Sequence, residues 1–161
     1  MKNSKLVLIA IAAVCVIVIV SVLSPVVWFL GGSCFEFVSG MKTDIEIDSY
    51  RLCQDVNGDD VIIIKYLLKN NGDEPTCLIY EGDFYVYQDG VSLTEFYTDD
   101  ENKLPKECNY DAEDQYKNIK GGVEYYAEIA YWLEYPDKDV EVEVNDYGLF
   151  DKTKEKVFKL K

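Results

Sequence analysis

The chain has 161 residues, with 30 Asp and Glu against 16 Lys and Arg and a formal net charge of −14. Such a balance repels nucleic acid and anionic headgroups, so neither is an expected partner. There is no histidine and a single arginine, Arg51, which removes the commonest general base, the commonest metal ligand and the usual phosphate clamp. No catalytic constellation is visible, so the expectation is a protein that is not an enzyme and carries no cofactor. Carboxylate-only chemistry is the one enzymatic reading left open.

Residues 1–5, with Lys2 and Lys5, precede an uncharged run from Leu6 to Leu30. As a helix this run would reach about 37 Å, against about 30 Å of bilayer hydrocarbon. Trp28 and Phe29 stand where aromatic interface anchors belong, and the two lysines predict a cytoplasmic N-terminus with the rest exported. The organisation expected is a cytoplasmic N-terminus over 1–5, a transmembrane helix acting as signal anchor over 6–30, a short tether over 31–42 and one extracytoplasmic domain over 43–161. Localisation follows: a single-pass protein of the cell membrane. Two alternatives remain. A cleaved signal peptide normally has an apolar region of about 7–15 residues, shorter than this one. A lipid on Cys34 would fit its place after the apolar run, but Gly31 stands three residues before it, where leucine is expected.

From Thr43 the pattern has period two. Ile45 and Ile47 alternate with Glu46 and Asp48, and the phase slips near Ser49, which predicts a strand with a bulge. Asp55–Asp60 then invites two readings. Its Asp-x-Asn-x-Asp spacing matches the start of a calcium loop, but Asp60 stands where the turning glycine belongs and Tyr66 where the bidentate glutamate belongs. Asn57-Gly58 between strand patterns is the stronger hairpin signal, and Ca2+ is retained only as the lesser alternative. The run Val61–Leu68 is apolar on both faces, as in a central strand.

Asn70–Pro75 reads as a turn, Cys77–Tyr80 and Phe84–Tyr87 as extended, and Asp89-Gly90 as a further hairpin. Thr98–Asn118 is a polar segment with seven carboxylates and no periodicity, and loops of that length are often functional or mobile. Gly121-Gly122 opens the cleanest strand, with Val123, Tyr125, Ala127, Ile129, Tyr131 and Leu133 on the expected core face and Trp132 on the other. Val140, Val142 and Val144 alternate with glutamates, and Lys156–Leu160 reads as a last strand. Seven to eight short strands without an amphipathic helix predict an all-β fold, an antiparallel immunoglobulin-like sandwich, preceded by the one transmembrane helix. The tyrosines fit half-buried strand positions, with an aromatic sugar-binding platform as the lesser reading.

The order Asn57-Gly58, Leu68-Lys69-Asn70-Asn71, Tyr87-Gln88-Asp89-Gly90-Val91, Ile119-Lys120-Gly121-Gly122 and Val140–Val144 resembles a family of uncharacterised immunoglobulin-like (telokin-like) domains. These occur in exported, membrane-anchored or lipidated proteins of Gram-positive bacteria. The resemblance covers about Thr43 to Lys161. It implies a fold and a location and supplies no active site.

Cys15 lies in the apolar run, whereas Cys34, Cys53, Cys77 and Cys108 belong to the part expected outside, where disulfides persist. Tracing strand directions puts Cys53 at the Asn57-Gly58 end and Cys77 at the opposite end, with the loop carrying Cys108 beside Cys77. A Cys77–Cys108 disulfide is therefore expected, against free thiols as the alternative. In function, the expectation is a non-catalytic binding or interaction module at the cell surface. It would engage an unknown protein partner through a sheet face or loop and the membrane through helix 6–30. A cation- or small-ligand-binding protein using the acidic loop 99–114 is the second reading, and a lipoprotein anchored at Cys34 the alternative for its attachment.

Overall fold

The structure, a computed structural model, describes residues 43–97, 100, 103–147 and 152–160. The expected helix 6–30, the tether 31–42 and Cys34 lie outside the described residues. Among the described residues no helix is long and apolar enough to cross a membrane.

Among the described residues seven antiparallel strands form two sheets. They are β1 (Thr43–Gln54), β2 (Asp60–Asn70), β3 (Gly82–Gln88), β4 (Val91–Ser92), β5 (Val123–Trp132), β6 (Val140–Asp146) and β7 (Lys152–Phe158). One sheet has the order β1-β2-β5 and the other β4-β3-β6-β7. The β1–β2 hairpin turns at Asn57-Gly58, where Gly58 takes φ +90°. Its register shifts between Ile47 and Ser49, the bulge that the phase slip predicts. Asp89 and Gly90 both have positive φ, as the two central residues of a type I′ turn require. The stretch Cys77–Tyr80 is not a strand. Leu78–Tyr80 makes a 3₁₀ turn that buries Leu78, because the chain must cross there from one sheet to the other.

The inner faces meet in one apolar layer. Ile62, Ile64, Tyr66 and Leu68 of β2 and Ala127, Ile129 and Tyr131 of β5 face Val86, Val140, Val142, Val144 and Phe158. The core face expected for β5 is thus observed, with Val123 at its start exposed. A second, smaller apolar cluster lies on the outer face of the three-stranded sheet, where Val61, Ile63 and Ala130 pack with Phe96, Leu104 and Cys108. Thr94–Phe96 runs along the free edge of β5: Phe96 N–H donates to Ala130 O, Trp132 N–H donates to Thr94 O, and Glu95 stands opposite Tyr131. The chain continues across the outer face, with Val56 N–H donating to Lys103 O near the hairpin. It reaches the far end at Ile119, which exchanges two hydrogen bonds with Thr76.

This cover explains why β2 is apolar on both faces. One face meets the second sheet and the other meets the polar-looking segment, from which Phe96, Leu104 and Cys108 turn inward while Tyr97 and Tyr116 stay exposed. Fully burying a side chain such as Phe96 or Leu104 contributes roughly 1.5–3 kcal/mol, enough to hold a segment that lacks regular structure. Phe96 also stacks on Trp132, centroids 3.5 Å apart, so Trp132 is covered rather than left as a free surface aromatic.

The free edge of β1 is closed by side chains. Asp146 Oδ2 accepts from Ile45 N–H at 3.1 Å. Lys154 Nζ donates to Ile45 O and pairs with Asp44, and Lys156 Nζ donates to Ile47 O at 2.9 Å and Asp48 O at 2.6 Å. Lysines placed against an open edge prevent strand addition by another chain.

Candidate functional site

The buried polar residues are occupied in holding the fold. Gln88 accepts from Glu134 N–H and Tyr135 N–H and donates to Tyr135 O and Lys138 O, fixing the turn after β5. Asp55 accepts from Asn57 N–H at 2.8 Å, Asp59 N–H at 2.9 Å and the Trp132 indole at 3.4 Å. Burial pushes its carboxyl up, but these donors outweigh burial and hold it below the usual carboxylate range. The calcium-like spacing Asp55–Asp60 is therefore a turn whose first carboxylate is saturated by the chain itself. Among the described residues no group of three or more His, Cys, Asp or Glu side chains is placed to hold a metal ion.

Three of the seven carboxylates of the acidic segment are paired with lysines. Lys117 pairs with Asp111 and Asp114, and Lys103 pairs with Asp100. Beneath it, Gln115 is fully buried and its Nε2 reaches Glu95 Oε1 at 3.5 Å. Among the described residues the Gln115 Oε1 and the hydroxyls of Tyr66, Tyr131 and Tyr110 have no hydrogen-bond partner. The Tyr66 and Tyr131 hydroxyls lie near one another without closing a bond. All lie around Glu95, whose carboxyl is pushed up by burial.

The expected Cys77–Cys108 bridge is not made; Cys53, Cys77 and Cys108 are all free thiols. Cys108 sits on β1, its Sγ 3.7 Å from Gln54 O, and its neighbour is Cys53. The reason is the path of the chain after β4. Running back along β5, it starts its crossing at the Asn57-Gly58 end, so Cys108 lands there, while Cys77 stays beside Thr76 at the far end.

With one outer face covered, no described segment crosses the outer face of the four-stranded sheet. Alternation puts Phe84 and Val86 inside and Tyr85 and Tyr87 outside on β3, and it puts the valines of β6 inside and Glu141 and Glu143 outside. The register sets Tyr85 opposite Glu143 and Glu143 opposite Glu155, and in the next row Tyr87, Glu141 and Val157. Tyr85 and Tyr87 lie near-parallel, 14° between planes with centroids 6.4 Å apart. The side chains line a shallow depression of about 170 Å³ bounded by Tyr87, Glu141, Glu143, Glu155 and Val157. Lys156 also borders it, but its amine is spent on β1 carbonyls. Glu141, Glu143 and Glu155 have no ion pair among the described residues.

Two like charges directly opposite across a ladder oppose folding, so the Glu143–Glu155 pair weakens the strand pairing that carries it. Carboxylates beside aromatic faces offer a cation both Coulomb attraction and a π-cloud. No nucleophile with a base stands on this face. The sequence pattern sets Glu141 and Glu143 alternating with the valines, but it gives Tyr85 and Tyr87 no face and leaves Glu155 outside the expected strand Lys156–Leu160; the β3–β6–β7 register is what brings the group together.

A family model described as a domain of unknown function, DUF5067, matches residues 36–146. Among solved structures, a protein described as "a putative lipoprotein from Staphylococcus aureus subsp. aureus NCTC 8325" is similar. It is 22% identical with a TM-score of 0.51, over 74% of this chain and 85% of that one. At that identity the likeness bears on the fold alone. No curated protein matches the chain.

Proposed function

We propose that this chain, which belongs to the DUF5067 family of domains of unknown function, is a non-catalytic binding module at the outer surface of a cell membrane. Its β3–β6–β7 face would take a cationic partner, a lysine- or arginine-rich segment of another protein. The observation that carries this reading is the unpaired Glu143–Glu155 juxtaposition beside Glu141 and the Tyr85–Tyr87 pair. Three carboxylates with no ion pair among the described residues, beside two tyrosine rings, are complementary to ammonium and guanidinium groups.

The finer architecture belongs to the same proposal. The order β1-β2-β5 against β4-β3-β6-β7, with the edge segment Thr94–Phe96 beside β5, supports an immunoglobulin-like arrangement. Surface location is supported by the apolar run 6–30 and by the lipoprotein description of the similar staphylococcal protein. Attachment would be through a retained helix, with a lipid on Cys34 as the alternative.

The test is titration of the full chain in detergent with a fluorescent oligolysine peptide. Saturable binding that weakens steeply as salt screens the carboxylates is expected. Joint Glu143→Lys and Glu155→Lys substitution should abolish it, while Asp100→Asn with Asp111→Asn should leave it in place. Absence of saturable binding, or unchanged binding by the face variant, would overturn the proposal. So would a loss seen only in the Asp100/Asp111 variant, which would move the site to the acidic segment.

A further inference from the structure

The chain's single arginine, Arg51, is spent on one task. Its guanidinium pairs with Glu128 and donates to Cys108 O from Nη2 at 3.0 Å and from Nε at 3.3 Å, and to Asn109 O at 3.0 Å. Asn109 takes a positive φ of 48° directly after Cys108, which asparagine tolerates better than most residues. Arg51 thus pins the backbone around Cys108 against β1, the Cys108 thiol lies beside Gln54 O, and Cys53, two residues along from Arg51, packs against the same apolar cluster as Cys108. Cys108 is buried and Cys53 half-buried, in the apolar cluster under the cover segment. A pair of thiols held together on neighbouring segments by hydrogen bonds that do not involve sulfur is preorganised for a cross-link.

We propose that Cys53 and Cys108 form a disulfide that fastens the cover segment onto the outer face of the β1–β2–β5 sheet. The oxidant is a small-molecule disulfide. The half-exposed Cys53 thiolate attacks one of its sulfurs, giving a mixed disulfide and releasing one small thiolate. The Cys108 thiolate then attacks the Cys53 sulfur and displaces the second. Two protons leave the protein thiols and are taken up by the two released small thiols, so the protein pair is oxidised by two electrons and the small disulfide reduced by two. Burial, then the neighbouring Cys108, pushes the Cys53 thiol up to about 12. Its thiolate is therefore scarce at neutral pH, and closure of the bridge in the folded chain speeds up with rising pH.

The full chain in detergent is incubated with oxidised glutathione, quenched by alkylation, denatured, alkylated again and digested without reduction. A linked peptide pair containing Cys53 and Cys108 is expected, with both lost from the alkylated pool and Cys77 still alkylatable. In Cys108→Ser, Cys53 should stop at the glutathione adduct. Proteolytic cleavage after Lys103 and Lys106 should slow about tenfold on oxidation and recover on reduction. Free or singly glutathionylated Cys53 and Cys108 in the wild-type chain, or a bridge from either to Cys77, would overturn the pairing. Cleavage rates equal in the two redox states would overturn the fastening role.

Discussion

Replacing Phe96 by alanine tests whether the cover segment belongs to the core. Phe96 is fully buried, stacks on Trp132 and touches the outer side of β2 through the smaller cluster. A buried Phe→Ala change typically costs about 3–5 kcal/mol, and the lost aromatic pair contributes roughly 0.5–1.5 kcal/mol of such a loss. The hydrogen bond from Phe96 N–H to Ala130 O survives the substitution, so the backbone should stay in place and the cavity term should be felt in full. A destabilisation of about 3–5 kcal/mol, or roughly 10–20 °C in the melting temperature, is expected. Chemical denaturation of wild type and variant, followed by far-UV circular dichroism, measures it. As a control, Leu52→Ala removes a side chain of similar size that is 48% exposed and should cost under about 1 kcal/mol. If Phe96→Ala cost no more than Leu52→Ala, the cover would be a loosely attached loop. The two-sided burial of β2 would then have lost its explanation.

Asp55→Ala should cost about 1–3 kcal/mol by leaving the Asn57 and Asp59 amides and the Trp132 indole without their acceptor. Because the folded carboxyl is held low, its contribution is complete above the ordinary aspartate range and is lost as pH falls through the folded value. Acid melts should therefore converge for wild type and variant. Glu95→Gln should act in the opposite sense. The folded Glu95 carboxyl is pushed up by burial, so the native state holds that proton more tightly and stability falls as pH rises through this window. The variant should melt higher than wild type at pH 7 and show a flatter slope from about pH 4 upward. Lys154→Ala uncovers Ile45 O and leaves Asp146, which is 3% exposed, without its lysine. A loss of about 1–3 kcal/mol is expected, together with concentration-dependent association on size-exclusion chromatography as the β1 edge opens. A monomeric variant of wild-type stability would show the edge closure to be incidental. Glu155→Lys alone turns a like-charge cross-strand pair into an opposite-charge one and should stabilise the fold by about 0.5–1 kcal/mol, read as a higher denaturation midpoint.

Much of the fold is legible along the chain because its signals are local. The Asn57-Gly58 and Asp89-Gly90 turns, the slip at Ser49 and the alternation in β5 and β6 each express a constraint satisfied within a few residues. The motif Tyr87-Gln88-Asp89-Gly90-Val91 combines a local signal with a remote one. Its Asp-Gly pair makes the type I′ turn, while Gln88 is buried because it holds residues 134–138, some 46 or more positions away. The cover segment leaves little trace in the sequence for a related reason. Its apolar content is only Phe96, Leu104, Cys108, Ala112 and a few aromatics spread among carboxylates, and no period marks a segment that crosses a sheet without joining it. The signal that could have located it is on β2: a strand apolar on both faces requires a layer on each side. That inference would also have placed Cys108 near Cys53 instead of Cys77.

The carboxylates explain why composition concealed the candidate site. An excess of acidic residues over basic ones, 30 against 16, reads as a uniform solubilising charge, yet the side chains sort into three environments. Asp55 and Asp146 are buried acceptors for backbone amides. Asp44, Glu46, Asp100, Asp111, Asp114 and Glu128 are matched by lysines or by Arg51. Glu141, Glu143 and Glu155, like the exposed Asp73, Glu107, Glu113 and Asp137, have no ion pair among the described residues, and what sets the first group apart is that the register places Glu143 directly opposite Glu155. Solubility alone would be served equally by a lysine at 155, which would also strengthen the ladder. The Glu143–Glu155 pair is therefore where charge is held against the stability of the ladder, and this is the feature on which the proposed cationic partner rests.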